Sequence, residues 1–328
     1  MSGLSRRALP GLTPGLLALH IGEARAQRAR TGPARVGWLS YLSPPDSALE
    51  KMREGLRELG YVEGTSLVFV LRFADGDFNR LPQLVEELAA EHLDVVVARG
   101  PSANSTKAIR NRVPIVFIYS GDPVAAGFAD SLARPGHNMT GITFMALELS
   151  AKRVELLREL VPKGSKLALL SNPEHAGELA EYRVSEETAN RVGFTTTRYI
   201  VRTPADLVKT FGEIREARPD AMIVFPDNLT FVRRKEISEL AAAARIPAMY
   251  GWAEYCDSGG LVSYGPRVIE YNKGAARFVD KILKGGDANT IPIEQASRVG
   301  LTLNMSAARA LGLTVPPTVL ARVERLIE

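Results

Sequence analysis

The chain has few of the residues from which metal sites and disulfides are built. Cys256 is the single cysteine among 328 residues, which rules out an intramolecular disulfide and a zinc site made of several cysteines. No apolar run reaches the roughly 18 residues that a membrane-spanning helix needs. The histidines, which lack the spacing of metal ligands, are His20, His92, His137 and His175. We therefore expect neither a metal nor a cofactor.

An excess of charge of one sign is also missing. The 41 basic and 37 acidic residues give a net charge of +4 and form no run of five or more like charges. This is typical of a solvated surface and argues against a nucleic-acid partner. With 45% hydrophobic and 24% charged residues, a chain of this length can form two compact units.

The motifs of common catalytic sites are absent from the sequence. It has no G-x-S-x-G nucleophile elbow, no Walker A loop and no G-x-G-x-x-G loop after the first strand. His137 lies in the turn-forming segment RPGHNMTG, and Cys256 would need a basic neighbour to act as a nucleophile. We therefore expect no enzymatic activity.

The N-terminus differs in character from the rest of the chain. Arg6 and Arg7 precede a weakly apolar stretch at 9–21, and Ala24-Arg25-Ala26 fits a cleavage site. The pattern predicts a signal peptide and tail at residues 1–33, and hence export to the periplasm. The alternative is a disordered N-terminal tail.

From residue 35 onward, short apolar runs alternate with longer amphipathic segments. The predicted strands fall into two series, at 36–39, 67–73, 94–98 and 115–119, and at 167–170, 195–201, 221–225 and 248–250. Segments of the two series match at a spacing of about 130 residues, as RVPIVFIYS does with RIPAMYGWA. The pattern predicts an α/β protein of two Rossmann-like lobes, each with a parallel sheet flanked by helices.

The C-terminal segments are expected to complete these lobes. A strand is predicted within 259–266, a helix at 267–283, a strand near 299–303 and a helix at 306–311. We assign 34–144 to lobe 1, completed by about 265–298, and 145–264 to lobe 2, completed by about 299–328. The chain would then cross between the lobes several times and form a multi-crossover hinge.

Ligands of such sheets bind beyond the carboxyl ends of the strands, so the residues there are the candidates for a cleft between the lobes. Serines can hold an acidic group or merely cap helices, and carboxylates can hold an amine. For Asp122 the alternative is a structural turn, and Trp252, a further aromatic candidate, can equally belong to the core. The predicted ligand-binding residues are Ser40, Tyr41, Ser102, Ser120, Asp122, Ser171, Asn172, Asp227, Tyr250, Glu254 and Tyr264.

Several longer segments carry a family resemblance. They are GDPVAAGFADSLARPGHNMTGIT, RIPAMYGWAEYCDSGGLVSYGP, AARFVDKILKGG and IPIEQASRVGLTLNMSAARALGLTVPPTVLARVERLIE. Over about residues 34 to 328 the chain resembles the ABC-transporter substrate-binding proteins of the tryptophan/tyrosine-binding type. The resemblance implies a type I periplasmic-binding-protein fold and an exported receptor that delivers a small-molecule ligand to an ABC permease. It leaves the ligand open, and we expect a monomer.

The chain departs from the family pattern after its third strand. There the family leads us to expect Thr-Gly-Thr or a similar loop, but this chain has Arg99-Gly100-Pro101-Ser102. Pro101 has no backbone N–H, so one donor to an anionic ligand group is lost.

Three other functions share parts of this pattern. The effector domain of a transcription regulator would need a helix-turn-helix segment, for which the first 34 residues are too short and too rich in proline and glycine. A two-lobed Rossmann enzyme would need a phosphate loop or an acid/base pair. A periplasmic sensor subunit, which binds solute for a signalling partner, is not separated from a transport receptor by the sequence.

Overall fold

The computed structural model describes residues 32–144, 146–175 and 177–328. The apolar stretch and the cleavage site of the predicted signal peptide lie outside these residues. Within the described ranges, no helix is both long enough and apolar enough to cross a membrane.

Strands and helices alternate along the first part of the chain. Its elements are β1 (Ala34–Ser40), α1 (Ser47–Glu58), β2 (Leu67–Phe73), α2 (Leu81–Ala89), β3 (Val95–Arg99), α3 (Pro101–Thr106), β4 (Ile115–Tyr119) and β5 (Met139–Thr143). Helix α1 begins after Asp46 because the carboxylate of this residue accepts from the Ala48 N–H at 3.0 Å and so caps the helix.

The middle and C-terminal parts repeat the alternation. The middle part contains α4 (Ala146–Leu160), β6 (Lys166–Ser171), α5 (Glu178–Arg191), β7 (Thr195–Ile200), α6 (Asp206–Ala217), β8 (Ala221–Val224), α7 (Asn228–Val232), α8 (Arg234–Ala243), β9 (Ala248–Tyr250), α9 (Glu254–Asp257) and β10 (Val262–Gly265). The C-terminal part contains α10 (Val268–Gly274), α11 (Ala276–Leu283), β11 (Glu294–Gln295), β12 (Gly300–Asn304), α12 (Met305–Leu311), α13 (Pro317–Leu320) and β13 (Val323–Ile327).

The strands form two sheets, one in each lobe. The first has the order β11-β5-β4-β3-β1-β2, and the second has the order β13-β12-β10-β9-β8-β6-β7. Neighbouring strands run parallel, except that β10 and β12 pair antiparallel. The chain crosses between the sheets after β5, after β10 and after β11, so the hinge has several crossings. This confirms the predicted two-lobed α/β fold.

Some elements differ from the sequence prediction for identifiable reasons. The apolar pattern does not predict β5, whose sequence MTGIT contains no continuous apolar run, or β13, in which half-buried and exposed residues alternate. The helix predicted at 267–283 is divided into α10 and α11 at Ala275. Gly55 of α1 lies so close to this junction that a Cβ atom there would strike the Lys273 carbonyl oxygen and the Ala276 methyl group.

One hydrophobic core cluster continues from lobe 1 into lobe 2. On the first sheet it includes Val97 and Ile118, and it reaches Phe144 after the end of β5. The ring of Phe144 meets the edge of Trp252 at a centroid distance of 6.4 Å, and Trp252 meets Phe231 at 5.1 Å. Trp252 is buried in this cluster, which favours its core role.

Candidate functional site

The carboxyl ends of the two sheets face each other, and their loops are in contact. Ser120, which follows β4, hydrogen-bonds through its hydroxyl to Nε2 of His175, which follows β6. Farther along the same edge, the amide of Asn228 lies against Gly100 at the end of β3. These contacts join lobe 1 to lobe 2 and close the cleft that the sequence predicts.

Tyr41 forms part of the lobe 1 wall. Its hydroxyl donates to the Gly76 carbonyl oxygen at 2.6 Å, and its ring stacks on Phe78 at a centroid distance of 4.2 Å. Burial, together with the negative charge of Asp227 in lobe 2, raises the pKa of Tyr41 to about 12. The phenol is therefore neutral at physiological pH, and its hydroxyl group is engaged within lobe 1.

The serines predicted for the site are all buried, but they differ in their partners. Ser40 Oγ accepts from the Leu42 N–H at 3.2 Å, so it stabilises the turn after β1. Ser171 Oγ accepts from Arg198 Nε at 3.5 Å within lobe 2. Ser120 bonds across the cleft, and Ser102 Oγ has no hydrogen-bond partner within the described part of the chain.

Asp227 and Asn172 form the facing wall of lobe 2. Asp227 Oδ1 accepts from the Leu229 N–H at 2.8 Å, which caps α7, and from Asn172 Nδ2 at 3.1 Å. Asn172 Oδ1 in turn accepts from the Glu174 N–H at 3.0 Å. Both side chains are buried, and these hydrogen bonds hold the carboxylate in a fixed orientation.

Behind His175 lies a buried charged network that the sequence does not predict. His175 Nδ1 is 3.9 Å from Glu181 Oε1, and Glu181 Oε2 is 3.9 Å from Arg153 Nη1. Burial raises the pKa of Glu181, and it lowers the pKa of Arg153 to about 10. His175 stands four residues beyond β6, and this position after a strand is the one sequence signal that could have indicated it.

Three predicted residues are held by contacts within a single lobe. Asp122 is exposed, and its Oδ1 accepts from the Val124 and Ala125 N–H groups at 2.8 and 3.3 Å, as a structural turn requires. Tyr250 is fully buried within lobe 2, where its ring stacks on Tyr255 at 4.5 Å. Tyr264, on β10, packs against the core of lobe 2. The two tyrosine rings pack into the core of lobe 2 because the strands that carry them, β9 and β10, are covered by helices.

Glu254 is buried close to the hinge. Its Oε1 accepts from the Ile269 N–H at 3.0 Å, which ties α9 to the start of α10. Burial raises the pKa of this carboxyl group, and Oε2 has no hydrogen-bond partner among the described residues. The contact to α10 gives Glu254 a structural role at the crossing between the lobes.

Cys256 and one groove on the hinge side lie apart from the cleft. Burial raises the pKa of the Cys256 thiol to about 12, so it carries no thiolate at physiological pH. A groove of about 810 Å³ runs along the hinge side and is lined by side chains such as Arg267, Tyr271 and Arg298. It contains none of the predicted ligand-binding residues.

A family model described as ABC transporter substrate binding protein matches residues 44–327. The chain belongs to this family. As a substrate-binding protein of an ABC transporter it binds a small-molecule ligand. Its relatives are substrate-binding proteins, a non-enzymatic family, and so this member is a binding protein rather than an enzyme.

Individual relatives of this substrate-binding protein agree with the family. The "Tyrosine-binding protein" of Clostridioides difficile is 22% identical over 275 residues, which cover 81% of this chain and 78% of the relative. A conserved domain protein from Vibrio cholerae is 25% identical with a TM-score of 0.80, covering 89% of this chain and 99% of the other. An ABC domain in complex with L-Trp from Streptococcus pneumoniae is 22% identical with a TM-score of 0.80, and the match covers 90% of this chain and 100% of the other.

Proposed function

We propose that this substrate-binding protein is the exported receptor of an ABC uptake transporter and closes its lobes on an amino acid with an aromatic side chain. The observation that carries the proposal is the buried carboxylate of Asp227 in lobe 2, which is close enough to Tyr41 of lobe 1 for its charge to help raise the pKa of that phenol. A buried carboxylate needs a partner, and a ligand ammonium group supplies one. Similarity to a tyrosine-binding protein and to a domain solved in complex with L-Trp supports the aromatic side chain.

Each wall of the cleft has a distinct role in this proposal. Asp227, oriented by Asn172, binds the ammonium group from the side of lobe 2. The stacked rings of Tyr41 and Phe78 offer an apolar face to the aromatic side chain. The acidic group of the ligand lies near the hydroxyls of the lobe 1 serines.

The first experiment is a thermal-shift and calorimetry screen of the purified protein against L-tyrosine, L-tryptophan, aliphatic amino acids, nucleosides and sugars. A ligand at a hundredfold excess over Kd stabilises the folded state by about 2.7 kcal/mol, which raises Tm by a few degrees. We expect aromatic amino acids to give the largest shift. Stabilisation by sugars or nucleosides alone would overturn the proposal.

Export, the permease and the monomeric state form the remaining part of the proposal. Expression of the full chain in a bacterial host should yield a shortened product in the periplasmic fraction, with its new N-terminus at Gln27 after Ala24-Arg25-Ala26. Size-exclusion chromatography with light scattering should give the mass of one chain. An unprocessed cytoplasmic product would contradict the export step.

A further inference from the structure

Arg99 is a buried cation without a hydrogen-bonded anion. It ends β3, a central strand of the first sheet, and only 5% of its surface is exposed. Its guanidinium group makes no hydrogen bond to any described residue, and Nε is fully buried without a partner. A guanidinium group removed from water is strongly destabilising unless an acceptor compensates for the lost hydration.

The nearest carboxylate does not supply that acceptor. Asp46 Oδ1 lies 3.9 Å from Arg99 Nη1, which is beyond hydrogen-bond distance. The two oxygens of Asp46 already accept other donors, since Oδ1 takes the Ala48 N–H at 3.0 Å and Oδ2 takes Trp38 Nε1 at 3.2 Å. Asp46 therefore moderates the charge of Arg99 without satisfying its N–H groups.

Two further unpaired donors come from residues beside Arg99. Ser102 Oγ is fully buried three positions later in the chain, and Asn228 Nδ2 is buried on the lobe 2 side. Asn228 sits so close to Gly100 that a Cβ atom at this glycine would overlap its Nδ2 atom. Arg99 and Ser102 thus flank Gly100 in lobe 1, and Asn228 reaches the same glycine from lobe 2.

We propose that Arg99, Ser102 and Asn228 form a carboxylate-binding subsite that selects anionic ligands over their neutral analogues. A planar carboxylate matches the fork of a guanidinium group and can accept from the amide and the hydroxyl at the same time. Because Asn228 belongs to lobe 2, the same carboxylate links the two lobes. The choice of an amino acid as the ligand rests on the proposed function. A simple organic acid also carries a carboxylate and could bind the same subsite.

The test is calorimetric titration of the protein with four probes: L-tyrosine, L-tyrosinamide, tyramine and 3-(4-hydroxyphenyl)propionate. Removal of the carboxylate leaves Arg99 buried and unpaired, so we expect L-tyrosine to bind at least about 30-fold more tightly than L-tyrosinamide or tyramine. The propionate probe retains the carboxylate without an ammonium group. It separates an amino-acid receptor from a receptor for organic acids.

Variants test which residues give the preference for L-tyrosine over L-tyrosinamide. Arg99→Gln and Asn228→Asp should each weaken binding of L-tyrosine about 10-fold or more and reduce the preference over L-tyrosinamide to within about threefold. Asn228→Asp has the same shape as the wild type, so it keeps the test valid if Arg99→Gln does not fold. Arg57→Gln, on the exposed end of α1, is the matched control and should bind as the wild type does.

The possible results separate the two proposals. Equal binding of L-tyrosine and L-tyrosinamide to the wild type would overturn the subsite while leaving the amino-acid receptor intact. A preference that persists in both variants would also overturn it. Binding of the propionate probe without binding of L-tyrosine would support the subsite and overturn the amino-acid ligand. Stabilisation by neutral sugars alone would overturn both.

Discussion

Gly100 is the residue at which the two lobes approach most closely at the end of β3. Its φ of +55° lies in the left-handed region, and the amide of Asn228 occupies the space that a side chain would take. Two physical requirements thus coincide at one position, because the backbone needs glycine for its conformation and the cleft needs it for closure.

The Gly100→Ala variant separates these requirements. A residue with a Cβ atom is strained by about 1–3 kcal/mol at the backbone angles of Gly100 (φ +55°, ψ −130°), and we expect a loss of stability of this order together with incomplete closure and weaker binding of L-tyrosine. The control is Gly127→Ala, since Gly127 has a φ of +71° but nothing within 4 Å of the added methyl group. Chemical denaturation and calorimetry on both variants are the measurements. Equal binding by the two variants would contradict the steric account.

Asp227 and Asp122 form a second matched pair at the residue scale. Both carboxylates accept from nearby backbone N–H groups, but Asp227 is buried in the cleft and Asp122 is exposed. Asparagine retains the helix cap and removes the charge. We expect Asp227→Asn to weaken binding of an amino acid about 10-fold or more, with little change in Tm.

The Asp122→Asn variant should bind as tightly as the wild type. Isothermal titration of both variants with L-tyrosine tests the pair. An equal loss of affinity in Asp122→Asn and Asp227→Asn would contradict the structural role of Asp122 and indicate that the Gly121-Asp122-Pro123 loop binds the ligand.

At the scale of elements, α1 and α10 are joined by a cluster of exposed charges. Lys273 Nζ of α10 lies 2.9 Å from Glu54 Oε1 and 2.8 Å from Glu58 Oε1, both on α1. Hydrogen bonds from Lys51 and Lys273 lower the pKa of Glu54 from 4.5 to about 2. The close packing at Gly55 brings these side chains together.

This cluster predicts a pH dependence of stability. Because the pKa of Glu54 is lower in the folded than in the unfolded state, its contribution is fully present above the unfolded value of 4.5. It is lost as the pH falls towards the folded value of about 2. In urea denaturation, the free energy of unfolding should fall less between pH 6 and pH 3 for Glu54→Gln than for the wild type.

Salt supplies an internal check on this prediction, since exposed ion pairs are screened. The difference between Glu54→Gln and the wild type should shrink at high ionic strength. Glu239→Gln, which removes an exposed carboxylate 3.9 Å from Lys235 on α8, is the control and should follow the wild type. An identical pH dependence of the wild type and Glu54→Gln would contradict the assigned pKa.

The elements also show how far the sequence pattern extends. Continuous apolar runs predict β3 and β8, because strands covered by helices on both faces need apolar residues at every position. The pattern fails at β5, where Gly141 and two threonines replace the apolar run, and at α10 and α11, where an amphipathic period continues across a break. Such features depend on neighbouring segments and not on local hydropathy.

At the scale of the whole molecule, the contact between Ser120 and His175 joins the lobes at the cleft. Both residues are buried, and Glu181 and Arg153 support the imidazole from within lobe 2. Removal of the Ser120 hydroxyl would break this contact and should favour an open arrangement of the lobes in the ligand-free protein. We therefore predict that the contact contributes to the equilibrium between open and closed states.

We expect Ser120→Ala to have a larger radius of gyration than the wild type without ligand and the same radius with saturating L-tyrosine. Small-angle X-ray scattering makes the comparison. Ser131→Ala is the control, because Ser131 is exposed in the same lobe and bonds only within its turn, to Arg134. Identical scattering of Ser120→Ala and the wild type in the ligand-free state would contradict a closing role.

The sequence by itself determined most strands of both lobes, their repeat at a spacing of about 130 residues, and the edge of each sheet where polar residues follow the strands. Hydropathy and spacing are local properties, and they are sufficient for these features because buried strands must be apolar along their length. They also placed Asp227, Asn172 and Tyr41 among the candidates. The segments that resemble the family indicated a substrate-binding protein before the fold was known.

Only the tertiary structure decided which candidates face one another. Ser120 and His175 are 55 residues apart, and Asn228 meets Gly100 from the other lobe. Asp122 and Tyr250 lie at or after the ends of strands, as Asp227 and Asn172 do, yet one lies on an exposed turn and the other in the core of lobe 2. The partner of a polar group depends on how distant segments pack, and burial then fixes whether its charge needs another residue or a ligand.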